Sequence, residues 1–90
     1  MTAQKLPPIV RVTWVDAEEV GDVGWNCLKV QNRRAKTPCP SIVSVGHVLY
    51  RGDKHISLVS TIGPGISGTV EKIPFQFIIS IEELTPNAKV

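Results

Sequence analysis

The sequence has little that could cross-link the chain or hold a metal. It contains two cysteines, Cys27 and Cys39, which are too few for a disulfide framework. With His47 and His55 they give the spacing Cys-x11-Cys-x7-His-x7-His, which matches no compact zinc motif. We therefore expect reduced cysteines, no bound metal and no cofactor.

Long hydrophobic runs are also missing. No window approaches the roughly 18 consecutive apolar residues of a membrane-spanning helix. Pro7 and Pro8 follow Lys5 at once, where a secretory signal would continue into an apolar stretch. These features predict a cytoplasmic protein that does not contact a membrane.

Catalytic motifs are the third absence. The glycine-rich residues 63–68 lack the lysine and the helix that follow a phosphate-binding loop. No Ser-His-Asp, Cys-His or paired-carboxylate grouping has a local spacing that calls for catalysis. We predict a protein that is not an enzyme.

The composition is that of a small globular domain. Apolar residues make up 42% of the 90 residues and charged residues 20%, which is a balance typical of folded soluble chains. A chain of this length fits one domain with a small core. We predict an extended lead-in over residues 1–8, one domain over residues 9–84 and a polar tail over residues 85–90.

Short β-branched segments predict most of the secondary structure. Residues 9–15 alternate so that Val10, Val12 and Trp14 share one face of a strand. Gly46 predicts a bulge or sharp bend in the next strand. The remaining predicted strands are 42–50, 55–62, 69–73 and 77–81, with a one-turn connection over residues 74–76.

One short helix is predicted between the first two strands, over residues 23–34. Asp22 would cap it, and Pro38 and Pro40 end it. Trp25 is expected to be a core anchor, like Trp14, and Cys27 is expected to pack. The pattern predicts a mainly β fold, a small SH3-like or Sm-like five-stranded barrel with this helix between strands 1 and 2. A flat five-stranded sheet under one helix is the alternative.

The net charge of +2 hides an uneven distribution. An acidic run precedes a basic run, and the two could be solvated faces that pair with each other or an anion-binding patch beside an acidic one. The acidic run is Asp16, Glu18, Glu19 and Asp22. The candidate anion- or nucleotide-binding residues are Trp25, Lys29, Arg33, Arg34, Lys36, Tyr50, Arg51, Lys54 and Lys72, with Trp25 or Tyr50 available to stack on a base.

Four segments of the second half resemble the strand order of Sm-like barrels. They are Val45-Gly46-His47-Val48, Ile56-Ser57-Leu58-Val59, Val70-Glu71-Lys72-Ile73-Pro74 and Ile78-Ile79-Ser80-Ile81. The resemblance implies a homo-oligomer in which the last two strands pair with neighbouring copies.

The whole chain also resembles a family of small uncharacterised phage proteins. The shared features are Val12-Thr13-Trp14 followed by Asp16-Ala17, then Ser44-Val45-Gly46, and then Ile73-Pro74 before the last strand. By analogy, the leading hypothesis is a non-enzymatic phage accessory protein that binds a nucleotide signal of host immunity, or RNA, as a homo-oligomer. The alternatives are a module that inhibits a host protein through residues 16–22, and a structural phage component.

Overall fold

A computed structural model describes residues 5–85 of the chain. The first four residues of the predicted lead-in, and residues 86–90 of the predicted tail, lie outside the described residues. The elements are β1 (Ile9–Val15), α1 (Leu28–Ala35), β2 (Ser41–Arg51), β3 (His55–Val59), β4 (Ile62–Gly63), β5 (Ile66–Ser67), β6 (Val70–Pro74), a 3₁₀ turn (Phe75–Phe77) and β7 (Ile78–Leu84).

The described part of the chain is mainly β with one α-helix, which confirms the predicted class. Five strands form an antiparallel sheet in the order β6-β3-β2-β1-β7, and β4 and β5 make a separate two-stranded hairpin. Within residues 5–85, no ladder joins β6 to β7, so both strands are edges and the sheet is open. No helix in residues 5–85 is long and apolar enough to cross a membrane.

The core lies under one face of the sheet. Val10 and Val12 of β1 pack with Ile56, Leu58 and Ile73 from β3 and β6. The half-buried Trp14 packs against this cluster, and its indole nitrogen donates a hydrogen bond of 3.0 Å to the hydroxyl of Ser44. The predicted alternation of β1, with Trp14 as a core anchor, is therefore confirmed.

Gly46 is buried where β2 passes from one partner strand to the next. Residues 41–47 of β2 pair with β1, and the rest pairs with β3. The register with β1 is regular through Gly46, and the irregularity lies between Val48 and Tyr50. The predicted bulge is thus displaced toward Leu49. Gly46 instead permits close approach, because a Cβ there would lie 2.8 Å from the carbonyl oxygen of Val59.

The helix is shorter than the sequence predicts. It starts at Leu28 rather than at residue 23, and its N-cap is Cys27, which makes no side-chain cap bond. Gly24 has a φ of 103°, a left-handed value that a helix cannot continue through. The side chain of Asn26 bonds the backbone N–H and carbonyl of Asp22, closing a loop where the cap was predicted.

The other boundaries differ by a few residues. The third strand ends at Val59 rather than at residue 62, because Ile62–Gly63 turns into the small hairpin with Ile66–Ser67. The one-turn connection before the last strand is confirmed as the 3₁₀ turn. The alternative, a five-stranded sheet under one helix, is confirmed in its open five-stranded sheet. It is wrong about the helix, because no residue of α1 is buried.

Candidate functional site

Residues 16–40 leave the sheet as an arm between β1 and β2. Val15 pairs with Ser41 where the arm begins and ends, and the N–H of Asp16 donates to the carbonyl of Pro40 at 3.0 Å. The base of the arm is therefore closed by backbone pairing. Since no side chain of α1 is buried, the helix does not contribute to the core of the sheet.

Most apolar side chains of the arm are open to solvent, and Val30 is half-buried. Val23 is 107% exposed and Trp25 102% exposed, and Leu28 at the start of α1 is 73% exposed. We refer to these three residues as the apolar tip. The predicted burial of Trp25 is wrong, because α1 starts beyond it and the segment around Gly24 holds it away from any apolar surface.

Polar contacts hold the arm in shape. The side-chain amide of Gln31 donates to the backbone carbonyl of Val20 at 3.1 Å. The guanidinium of Arg34 donates to the side-chain oxygen Oε1 of Gln31 at 3.0 Å. The Asn26 bonds to Asp22 add a second link inside the loop. These contacts fix α1 beside the acidic segment although no residue of α1 is fully buried. The expected packing of Cys27 is wrong, because its side chain is exposed.

The acidic and basic runs do not pair with each other. Among residues 5–85 the one ion pair joins Arg11 and Glu82, 2.8 Å apart on the sheet. The Arg11 hydrogen bonds and positive charge hold the pKa of that carboxyl below its ordinary value. Of the two interpretations that the sequence left open, internal pairing of the arm is absent from the described residues, and none of its eight charged groups forms an ion pair there.

The basic side chains of α1 divide between two faces. Lys29, Arg33 and Lys36 follow each other at intervals of four and three residues, which places them along one face. At 3.6 residues per turn that face lies about half a turn from Gln31. We call these three residues the basic stripe. Arg34, by contrast, lies on the Gln31 side.

The other predicted site residues lie at the far end of β2, around the turn into β3. Tyr50 and Lys72 are both in register with Ser57, so they flank it on one face of the sheet. Arg51 points to the opposite face, and its guanidinium lies 5.7 Å from the centre of the Phe75 ring. These side chains therefore do not converge on one surface.

Lys54 lines a cleft beside this turn. The cleft has a volume of about 390 Å³ and is lined by Asp53, Lys54, Pro74, Phe75 and Gln76. One carboxylate and one ammonium leave it without a net charge to attract an anion. The nine predicted binding residues thus fall into two groups, and the five on the arm make the larger one.

The two histidines have structural contacts. The Nδ1 of His47 donates to the carbonyl of Pro7 at 2.8 Å, which fastens the segment before β1 to β2. The ring of His55 lies against Tyr50, with 5.1 Å between ring centres. Residues 5–85 contain no group of three or more His, Cys, Asp or Glu side chains that could hold a metal ion.

The exposure of Val23 and Leu28 was not predicted from the sequence. A usable signal was present: Gly21 and Gly24 bracket Val23, and no apolar residue follows Trp25 and Leu28 at helical spacing far enough to make a buried face. Comparison of the chain with protein-family models, with curated proteins and with solved structures gives no match.

Proposed function

We propose that this protein acts by binding rather than by catalysis, and that its arm is a contact surface for another protein. The observation that supports this proposal is the complete exposure of Val23 and Trp25 on an arm that projects from the sheet. Tryptophan is enriched among the residues that dominate binding energy at interfaces. Exposed apolar groups gathered at one place are typical of interaction sites.

The energetics of the arm support the same role. Ordering a residue costs about 1–2 kcal/mol of conformational entropy, and an isolated helix of eight residues is marginal in water. The arm orders residues 16–40 without burying any side chain of α1. A partner that covers the apolar tip would supply the burial that the protomer does not.

Substitution of Trp25 tests this function. Proteins captured by the parent chain are identified by mass spectrometry, purified and titrated against the parent and against Trp25→Ala. We expect binding about 30-fold weaker for the variant, the effect typical of a central interface tryptophan. The matched control is Ile66→Ala, since Ile66 is 72% exposed on the β4–β5 hairpin, outside the arm. A partner that binds both variants like the parent would contradict the proposal.

A second candidate function is capture of a nucleotide or RNA, favoured by the basic stripe. The stripe lies on the face of α1 opposite Gln31, whose side chain holds the acidic segment, and its cations are unpaired among residues 5–85. The open ring of Trp25 would stack on a base. In a phage-encoded protein, such binding would remove an immune nucleotide signal in the host cytoplasm.

Charge-matched double variants test this candidate. Lys29→Ala with Arg33→Ala removes two cations of the stripe, and Lys54→Ala with Lys72→Ala removes two elsewhere. Binding of short RNA and of cyclic nucleotides should weaken in the first variant only, and should weaken steeply as salt rises. Equal losses in the two variants would indicate non-specific attraction, and absence of binding by the parent at low salt would exclude the candidate.

We further infer that the sheet is an opened SH3-like barrel. The order β6-β3-β2-β1-β7 and the 3₁₀ turn between β6 and β7 support this assignment. The exposed edges would pair β6 of one copy with β7 of another, as in the Sm-like resemblance. Proline at Ile79, which is exposed on β7, would reduce the assembled mass measured by light scattering if such pairing occurs.

A further inference from the structure

One face of the sheet carries exposed apolar side chains that the core does not use. Val43 and Val45 of β2 lie opposite Thr13 and Arg11 of β1 in the register, and the two valines are 58% and 52% exposed. Cross-strand partners share a face, and Val12, between Arg11 and Thr13, points into the core. These four side chains therefore lie together on the face opposite the core. We refer to them as the outer patch.

The sequence of β2 is typical of a strand that is covered on both faces. In a sheet with one solvated face, apolar and polar side chains alternate. β2 departs from this alternation, because Ile42 lies beside Trp14 on the core face and the next residue, Val43, is apolar on the other face. Val45 repeats the apolar choice two residues later. The protomer leaves both valines more than half exposed, so we expect a second surface to cover them.

The outer patch has the chemistry that suits the ring of a tryptophan. Its one charged group is the guanidinium of Arg11, which donates hydrogen bonds of 2.8 and 3.3 Å to the carboxylate of Glu82. A guanidinium held among valines offers a cation–π contact to an indole ring and apolar area beside it. Since Glu82 balances the charge of Arg11, an aromatic side chain covers the patch without facing an excess charge.

We propose that the apolar tip of one copy of this chain docks on the outer patch of a second copy, with Trp25 over Arg11, and that the two copies exchange arms around a two-fold axis. The inference rests on the proposed function of the arm as a protein-binding surface, and it identifies the partner and the surface that the arm covers. The tip and the patch are different surfaces, so a reciprocal exchange closes the pair and leaves neither surface open.

The placement of the arm selects a second copy as the occupant. Val23 and Trp25 are completely exposed, so the tip does not touch the patch of its own chain. The arm begins and ends at Val15 and Ser41, directly beside its own patch. When two copies lie side by side in opposite directions, the arm of each extends along the sheet of the other.

The area of this exchange fits a stable dimer. Burial of one tryptophan removes about 150–250 Å² from solvent. Because each copy contributes both its tip and its patch, two such contacts form in one dimer. The other apolar side chains of the tip and the four residues of the patch raise the area toward the roughly 800 Å² that each partner gives to a standard interface. Trp25 is then the central anchor of each contact.

Light scattering of surface variants makes the first test. We expect the parent to have about twice the 9.8 kDa mass of the chain. Trp25→Ala should weaken dimerisation about 30-fold for each of the two contacts, or about 1,000-fold in all. Val45→Lys, which puts a charge into the patch, should also be monomeric. The matched control Ile66→Lys, on the β4–β5 hairpin, should dimerise like the parent. A parent that remains monomeric at high micromolar concentration would overturn the inference.

Cross-linking identifies which surfaces meet. In a background with Cys27→Ser and Cys39→Ser, one variant carries Val23→Cys and the other carries Val45→Cys, and a short bismaleimide joins thiols that lie close together. An equimolar mixture should give a covalent heterodimer, and each variant alone should stay unlinked. Mixing Val23→Cys with Ile66→Cys is the control and should give no product. Linking by either variant alone, or none in the mixture, would overturn docking of the tip on the patch.

The two proposals can fail separately. A monomeric parent that binds a different protein, and binds it more weakly as Trp25→Ala, would overturn this inference and leave the proposed function intact. Self-association that is insensitive to Trp25→Ala and to Val45→Lys, with every other partner also retained by Trp25→Ala, would overturn both. Circular dichroism of each variant confirms that the sheet is folded before the masses are compared.

Discussion

Trp25 is the residue whose solvent exposure differs most from what its side chain favours. Tryptophan buries a large apolar surface when it can, and Trp14 of the same chain packs on the core and donates to Ser44. Trp25 is fully exposed and does not pack against the core cluster. The composition of the segment could not reveal this difference, since residue type gives an average burial and the left-handed Gly24 decides the local path.

Gly46 tests the packing between β2 and β3. In Gly46→Ala the new Cβ would meet the Val59 carbonyl oxygen at 2.8 Å and the Leu58 Cβ at 3.2 Å. Because both neighbours belong to a buried strand, we expect the free energy of unfolding to fall by about 1–3 kcal/mol. Urea denaturation measures the loss.

Gly68→Ala is the matched control for that substitution. Its Cβ would find Thr61 at 3.7 Å, an ordinary contact, and Gly68 has no positive φ. The control should change the free energy of unfolding by less than about 0.5 kcal/mol. Equal losses of stability in the two variants would show that the close approach of β2 to β3 is not the reason for glycine at position 46.

The Arg11–Glu82 pair predicts that the free energy of unfolding depends on pH in the acid range. Hydrogen bonds and charge from Arg11 lower the pKa of Glu82 in the folded protein. The pair therefore stabilises fully above the unfolded carboxyl pKa of about 4.3, and the stabilisation is lost as pH falls through the lower folded value. Glu82→Gln should remove this component, so the difference from the parent in urea denaturation should shrink below about pH 4. Glu83→Gln, next in the chain, should keep the pH dependence of the parent.

At the scale of elements, the strands were predictable and the arm was not. The period-two pattern of Val10, Val12 and Trp14 gives both the bounds and the inner face of β1. The same pattern predicts each strand of the five-stranded sheet to within three residues at either end. Local sequence does not determine which strands pair at their edges. The open sheet and the displacement of the bulge toward Leu49 are therefore known only from the strand register of the structure. Residues 23–27 have a helical spacing, but the Asp22–Asn26 loop replaces the first turn.

The helix should open independently of the sheet. Since α1 buries no side chain and Cys27 gives it no cap bond, its amides should exchange with deuterium much faster than those of β1 and β3. Cys27→Ser adds a good N-cap and should stabilise the helix by about 1 kcal/mol, which slows exchange about fivefold. Cys39→Ser, beyond the helix, should leave the exchange of α1 unchanged. Equal protection of α1 and the core strands would contradict this view of the arm.

At the scale of the molecule, the buried core and the proposed binding surface lie in separate parts of the chain. The buried cluster comes from β1, β3 and β6, and five of the nine predicted binding residues lie on the arm. Trp25, Lys29 and Arg33 were chosen from the sequence for their chemistry, and the structure places all three on the arm. The sequence alone could not show that the acidic and basic residues of the arm do not pair with each other. Their separation depends on how Gln31 orients α1 against Val20.

Replacing the arm with a tight turn tests this separation directly. Val15 and Ser41 are already paired, so deleting residues 16–40 and inserting Asn-Gly should make a two-residue hairpin, whose turn suits the twist of antiparallel strands. The sheet should fold with unchanged or greater stability, because each halving of a connecting loop reduces the closure cost by about 0.6 kcal/mol. Thermal unfolding and circular dichroism measure stability, and light scattering follows self-association. If the shortened chain does not fold, the arm contributes to the core in a way that its exposed helix does not reveal. If it folds and no longer binds the protein that the parent chain captures, binding belongs to residues 16–40, as their unpaired charges and exposed tryptophan predict.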